Sequence, residues 1–315
     1  MLVFYFLSLG AGGCASVVLF TAVANWFRRN IGKALGIVAC GFGAGGLIIP
    51  LVPWLIDACG WRSALVILAV IMWAIGIPLA FVIRDKPEKY GYLPDGGTMS
   101  AATLSSQIEP EVVEISFVEI IKGRTLWFIS LAEAIRWIIL TAVVVHIMPY
   151  LTSIGISRAN AALVAAAIPL VSLIGRFGFG WLGDTFDKRY LMAVTYGLTG
   201  LGMLALSYSS VWLFMFLFLI CFPLAHGGGV TLRGAMMSEY FGRSSFGKTL
   251  GTIMGISSIG GIIGPILAGF TFDTRGSYQL IWLAFCGLTI ISVAVILMVK
   301  SATNSALGFR NDIGQ

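Results

Sequence analysis

The sequence predicts an all-α membrane protein of about nine transmembrane helices. Three observations carry this. Of 315 residues, 58% are hydrophobic and only 11% are charged, against about 25% charged in an ordinary soluble domain. Mean hydropathy is +0.95. The apolar residues form repeated long runs, and the basic residues are sorted into alternate connections between them.

The runs fall at 3–25, 34–56, 63–83, 127–152, 160–182, 190–208, 211–235, 247–270 and 279–299. Each approaches the ~20 residues that a hydrocarbon core requires of a helix. None shows period-two alternation, so the barrel strand is excluded; inside lipid, a helix pairs its backbone amides within its own segment. The first run has no basic flank before it and no small-residue cleavage site after it, which argues against a signal peptide.

Lys and Arg set the orientation. Arg28, Arg29, Lys33, Arg84, Lys86, Lys89, Lys122, Arg124, Lys188, Arg189, Arg243, Lys248, Lys300 and Arg310 lie in one set of connections, fourteen in all. The opposite set holds Arg62, Arg158 and Arg275. The richer side is expected to be cytoplasmic. This gives a multi-pass protein of the inner (plasma) membrane with a cytoplasmic C-terminus and an N-terminus outside. The net charge of +6 is therefore a topology signal, and no nucleic-acid partner is expected. Cys14, Cys40, Cys59, Cys221 and Cys286 show no paired spacing, and four of them sit in apolar runs as small hydrophobes. No metal-ligand spacing or nucleophile–base pair is present, so neither a cofactor nor an enzyme activity is expected.

An internal repeat organises the chain. Gly32-Lys33-Ala34-Leu35-Gly36 matches Gly247-Lys248-Thr249-Leu250-Gly251, and at the same offset Gly45, Gly46 and Pro50 fall on Gly260, Gly261 and Pro265. The loops Asp57…Gly60-Trp61 and Asp273…Gly276-Ser277-Tyr278 also correspond. Such repeats are a transporter signature. The first three helices match the last three, while the helices of 127–208 have no partner in the first part. The expected organisation is a partial N-terminal half of three helices (1–84), a cytoplasmic linker (85–125), a six-helix C-terminal half (126–300) and a cytoplasmic tail (301–315). This reads as a two-fold six-helix design lacking its first three helices. Within the linker, Ser116 and Glu119 have capping-box spacing and predict a short surface helix, with a plain solvated linker as the alternative.

Gly180-Trp181-Leu182-Gly183-Asp184-Thr185-Phe186-Asp187-Lys188-Arg189 resembles the signature loop of the major facilitator superfamily, Gly-x-Leu-Ala-Asp-Arg-x-Gly-Arg-Arg/Lys, departing at Thr185 and Asp187. Its place, between the second and third helices of the C-terminal half, is where the second copy of that loop occurs. The resemblance covers the whole chain and implies a major-facilitator-type helical bundle. It also implies conformational gating by Gly180, Asp184, Lys188 and Arg189, one end state being locked when Asp184 stabilises a neighbouring helix N-terminus such as that near Phe246–Gly251. The alternative is a set of solvated topology residues. Val145-His146-Ile147-Met148-Pro149-Tyr150-Leu151, Gly175-Arg176-Phe177-Gly178-Phe179-Gly180, Tyr240-Phe241-Gly242-Arg243 and Gly264-Pro265 resemble monocarboxylate-porter and oxalate/formate-exchanger-like carriers.

Charges within the spans are few. Glu133 is the one carboxylate; Arg136 follows three residues later on the same face, and Arg176 lies in the next helix. A charge at bilayer depth costs about 2.5–3.5 kcal/mol on insertion scales. A guanidinium there suits a carboxylate ligand, which it grips through two parallel hydrogen bonds. The resemblance implies that Arg176 is the substrate-carboxylate ligand, with Arg136 and Ser172 beside it; the alternative for Arg176 is snorkelling to the interface. The family often has an aspartate for proton coupling where this chain has Ser172, and the family's first-helix lysine would precede the chain. Glu133 and His146 are the candidate proton carriers, against a structural Glu133–Arg136 ion pair and a core histidine. Arg233, near the end of the 211–235 run, reads as a snorkelling residue.

The function expected is secondary active transport of a small, monocarboxylate-like organic anion by alternating access, proton-coupled or by exchange, in a monomer whose partners are the bilayer, the anion and protons. The competing readings are a carrier of another small solute, a nonfunctional fragment and a membrane sensor.

Overall fold

The computed structural model describes residues 16–44, 51–96, 117–209 and 211–299. The helices are α1 (Ser16–Trp26), α2 (Ile31–Ala44), α3 (Leu51–Val82), α4 (Phe117–Lys122), α5 (Arg124–Ser153), α6 (Arg158–Gly183), α7 (Lys188–Ser207), α8 (Trp212–Arg275) and α9 (Gln279–Leu297). Short 3-10 turns occupy Pro87–Tyr90 and Pro94–Gly96. Gly45, Gly46 and Pro50 of the repeat, Ser116 and the tail 301–315 lie outside the described residues.

Among the described residues, six helices are long and apolar enough to cross a membrane, and α1 and α2 supply shorter apolar segments. α8, at 64 residues, is about 96 Å long at 1.5 Å per residue, roughly three times the ~30 Å hydrocarbon core, so it makes two crossings. The break is at Gly242, with φ 70° and ψ 176°, a conformation essentially confined to glycine. Gly60 likewise breaks α3 with φ 78° and ψ 157°. Its repeat counterpart Gly276 ends α8 with φ 65°. The two loops that match in sequence thus place a left-handed glycine at the same point. Counting α8 twice, these helices accommodate the expected spans. α4 is the surface helix predicted before the 127–152 span.

α8 is the centre of the bundle. It packs against α5, α6 and α7, while α9 lies on α7 and α5, and α2 lies on α6. Within a membrane no hydrophobic effect drives helices together, so close packing and small residues do so. α6 and α8 meet where Gly227 faces the Ser172 carbonyl and the Arg176 amide; a Cβ there would overlap both. α3 differs: Ala64 is its one buried side chain among the described residues, and Trp54, Trp61, Leu65, Met72, Trp73 and Phe81 are exposed.

Two apolar clusters flank the bundle's middle. One, around Phe20, Leu35, Met192, Phe246 and Ile253, lies toward the end that carries most of the basic residues. The other is aromatic, with Phe218, Phe222, Trp282 and Phe285. There Tyr150 donates to the Leu206 carbonyl at 2.6 Å and pairs with Ser209 at 2.8 Å.

Candidate functional site

The polar groups between these clusters form a buried charge centre. Glu133 of α5 is fully buried, and Arg136, Arg176 and Arg233 are 3%, 6% and 2% exposed. Arg136 grips Glu133 through two bonds, Nε to Oε1 at 3.0 Å and Nη2 to Oε2 at 2.8 Å. Arg233 of α8 donates Nη1 to Oε2 at 2.9 Å. Tyr196 of α7 donates its hydroxyl to Oε1 at 3.2 Å. The Glu133–Arg136 pair follows from the i,i+3 spacing, which puts both on one helix face.

The expectation for Arg233 is corrected here. It does not snorkel; it is the second cation on Glu133. α8 continues past residue 235 to the break at Gly242, so Arg233 lies about 14 Å inside that break at 1.5 Å per residue. The 211–235 hydropathy run ends early because Arg233 and Glu239 interrupt it, not because the helix does. The sequence marks the true end only by the glycine of Tyr240-Phe241-Gly242-Arg243, whose left-handed backbone the structure shows. Tyr196, also missed, sits in an ordinary apolar run with nothing to mark it.

Arg176 also does not reach the interface. Its Nη1 donates to the backbone carbonyl of Ala39 in α2, and Cys40 lies beside it with Sγ 3.8 Å from the Leu173 carbonyl. Ser172 is buried and donates to the Pro169 carbonyl of its own helix at 2.6 Å. Arg176 and the Glu133 cluster are joined through α8: Gly227 lies against the Arg176 amide, while the Cβ position of Gly229 is 3.5 Å from Cδ of Arg136. Among the described residues Arg136 Nη1, Arg176 Nε, Arg233 Nε and His226 Nδ1 are sealed from solvent and unpartnered. Two guanidiniums, Arg136 and Arg233, thus share the Glu133 carboxylate, and the third, Arg176, rests on a neutral carbonyl.

At the basic end, Asp184 accepts the backbone N–H of Gly32 at 2.7 Å and of Lys33 at 3.0 Å. These are unsatisfied donors of the first turn of α2. The recipient is a neighbouring helix N-terminus, that of Gly32-Lys33-Ala34-Leu35-Gly36, the repeat twin of the start near Phe246–Gly251 named above as an example. The two starts carry the same residues, so sequence alone does not rank them. Gly180 makes the approach possible, because a Cβ there would stand 2.6 Å from the Gly32 carbonyl oxygen. Lys188 pairs with Glu239 at 2.5 Å. Arg189 donates to the Val299 carbonyl at 2.9 Å, and Asp187 caps α7 through the Arg189 N–H. A second set of bonds ties residues 85–95 to this end. Asp95 accepts from the Arg28 and Arg29 N–H groups, Asn25 donates to Asp85, and Arg243 bonds Glu88 at 3.1 Å and the Asn25 carbonyl.

His146 is remote from the charge centre. One ring nitrogen meets the Tyr278 hydroxyl and the other the Pro265 carbonyl, both at 3.0 Å.

The helical bundle and the loop 180–189 at its α6–α7 turn agree with what the sequence comparisons give. The family model of the Major Facilitator Superfamily matches residues 1–148 and again 126–312. The chain belongs to the major facilitator superfamily. Among similar proteins, this major facilitator chain is 28% identical over 311 residues to monocarboxylate transporter 12 of Mus musculus, covering 92% of this chain and 63% of that protein. It is 26% identical to monocarboxylate transporter 11 of the same organism, over 93% of this chain and 65% of that protein. The chain thus spans under two thirds of the length of these relatives, which are membrane transporters rather than enzymes. Its fold matches that of a major facilitator proton:xylose symporter bound to 6-bromo-6-deoxy-D-glucose, with TM-score 0.69 and 14% identity, over 90% of this chain and 67% of that one.

Proposed function

We propose that this chain carries a small, monocarboxylate-like organic anion across the membrane by alternating access, with Arg176 as the principal ligand of the carboxylate. The observation that supports this is the state of Arg176: a buried guanidinium whose one bond among the described residues is to a neutral carbonyl of another helix. An uncompensated charge there is costly. A substrate carboxylate offers it a charge-assisted, two-bonded partner, roughly twice as strong as a neutral one. Because the displaced carbonyl belongs to α2, binding also loosens the α2–α6 contact.

In this reading residues 1–84 are part of an N-terminal half, 85–125 the linker and 126–300 the C-terminal half, the two rocking about the charge centre. Arg136 and Ser172 line the site. The basic end is cytoplasmic, in a plasma or inner membrane, and Asp184, with Gly180, Lys188 and Arg189, latches that end until transport releases it. Coupling is to protons or to a counter-anion. Glu133 is the proton acceptor of the first case: protonating it removes the charge that holds Arg136 and Arg233. His146 is a second candidate, bridging α5, α8 and the start of α9 at the far end.

The test is uptake of labelled lactate, pyruvate, oxalate and formate into proteoliposomes containing the chain, beside an Arg176→Ala variant. Uptake of one or more of these anions, lost in the variant, is expected. Equal carboxylate uptake by both proteins removes Arg176 from the binding role; absence of uptake of all four removes the anion assignment.

A further inference from the structure

The charge centre holds more positive charge than a monocarboxylate neutralises. Glu133 offsets one of the three guanidiniums of Arg136, Arg176 and Arg233, and Asp and Glu are otherwise absent from the buried residues described. Two units of buried positive charge remain. They are also separated in space. The Arg176 backbone lies against Gly227, and its guanidinium reaches across to α2. Arg136 lies against Gly229, and Arg233 is one turn further along the same stripe of α8, since positions 229 and 233 share a helix face. The two positive centres engage different partners: the Arg176 guanidinium the Ala39 carbonyl of α2, and Arg136 and Arg233 the Glu133 carboxylate. His226 is within electrostatic reach of all three guanidiniums. Each centre presents unused donors facing no solvent: Arg176 Nε at one, Arg136 Nη1 and Arg233 Nε at the other.

We infer that the site is built for a dianion, a short dicarboxylate whose two carboxylates are separated by a few carbons, one held by Arg176 and the other by the free N–H groups of Arg136 and Arg233. This rests on the anion-carrier reading and goes beyond it, giving the anion a second carboxylate. Glu133 then has a definite job: it orients Arg136 and Arg233 and lowers their joint charge to one unit, matching a single carboxylate. Arg233 becomes a specificity residue, since it supplies the excess charge that a substrate with one carboxylate leaves unbalanced. Gly227 lets the backbones of α8 and α6 touch, and Gly229 lets Arg136 lie against α8.

Equilibrium binding to the purified chain in detergent decides this without requiring transport. The probes are labelled succinate and glutarate against propionate and lactate. Wild-type protein is expected to bind a dicarboxylate at least tenfold more tightly than either monocarboxylate. Arg233→Gln leaves Glu133 and Arg136 as a neutral pair, and is expected to lower dicarboxylate affinity tenfold or more while shifting monocarboxylate affinity less than twofold. Arg233→Lys keeps the charge and is expected to restore most of the preference. Equal wild-type affinity for the two classes overturns the dianion assignment and leaves the carrier of monocarboxylates standing. An equal loss of both classes in Arg233→Gln overturns the specificity role. Binding of none of the four overturns both readings together. The wild-type comparison stands even where a variant fails to fold.

Discussion

The carboxylate of Asp184, in the turn after α6, accepts the backbone N–H of Gly32 at 2.7 Å and its neighbour's at 3.0 Å, so an anion from one part of the chain caps a helix 151 and 152 residues away. The contact combines charge-assisted hydrogen bonds with the positive end of the helix dipole. Asp184→Ala removes both acceptors from donors with no partner in their own helix. The expected loss is about 1.5–3 kcal/mol, with Asp184→Asn recovering part of it through its one remaining acceptor. Denaturant unfolding in detergent measures this; a change below a few tenths of a kcal/mol would show the contact to be incidental.

Glycine-to-alanine exchange should change sign along α2. At Gly32 an added Cβ overlaps the Gly180 carbonyl and stands 2.7 Å from the Asp184 carboxylate, so α2 must move off α6 and stability falls. At Gly41 nothing lies within 4 Å of the new methyl. There alanine lowers backbone entropy in the unfolded chain and adds roughly 0.5–1 kcal/mol. Thermal stability of the two variants, read side by side, tests whether the close approach or helix propensity governs each position.

Glu133 is the keystone of the buried centre, and its removal should be the most damaging single change of charge. Glu133→Gln leaves Arg136 and Arg233 buried without a counter-ion, a situation that costs about 3–5 kcal/mol. Adding Arg136→Gln should return part of the loss, because one stranded charge disappears. Tyr196→Phe removes a single hydroxyl bond to the same carboxylate and should cost only about 1 kcal/mol. If the double variant is no more stable than Glu133→Gln, the penalty is not one of uncompensated charge.

These contrasts mark what sequence could and could not carry. The helices were legible because the length of an apolar run is fixed by bilayer thickness, a property of the solvent. The Glu133–Arg136 pair was legible because i,i+3 geometry is local. Arg233 was not, because hydropathy falls wherever charges enter a run, whether or not the helix stops; only the Gly242 backbone fixes the true end. Asp184's partner was not, because the repeat offers two helix starts of one sequence, and choosing between them needs the packing of α2 on α6. The departure of α3 from the buried pattern has no sequence mark at all, since its apolar run reads like those of its buried neighbours.

Gly242 should resist substitution more than the helical glycines do. Its φ of 70° with ψ of 176° lies where a Cβ meets backbone atoms of its own residue, independent of surrounding space. Gly242→Ala is therefore expected to cost about 1–3 kcal/mol, although nothing lies within 4 Å of the added methyl. The same exchange at Gly251, with equally open surroundings and helical backbone, is the control and should be neutral or stabilising. Matching effects at the two positions would mean that the break in α8 relaxes freely.

The His146 bridge offers a measurement of coupling between helices. The Pro265 carbonyl can only accept, so the ring nitrogen facing it, Nε2, carries the proton; Nδ1 then accepts from the Tyr278 hydroxyl. One imidazole thus satisfies groups on α8 and at the start of α9 from its place on α5, and the other neutral tautomer would lose the bond to Pro265 while reversing that to the Tyr278 oxygen. His146→Phe removes both bonds and Tyr278→Phe removes one, leaving the aromatic packing of Tyr278 on Phe272 and Trp282 intact. A double-mutant cycle should give a coupling energy of about 0.5–1.5 kcal/mol, in the range for residues in direct contact. Additivity within about 0.3 kcal/mol would mean that the imidazole and the phenol act separately, and that the three helices are held at this end by ring packing alone.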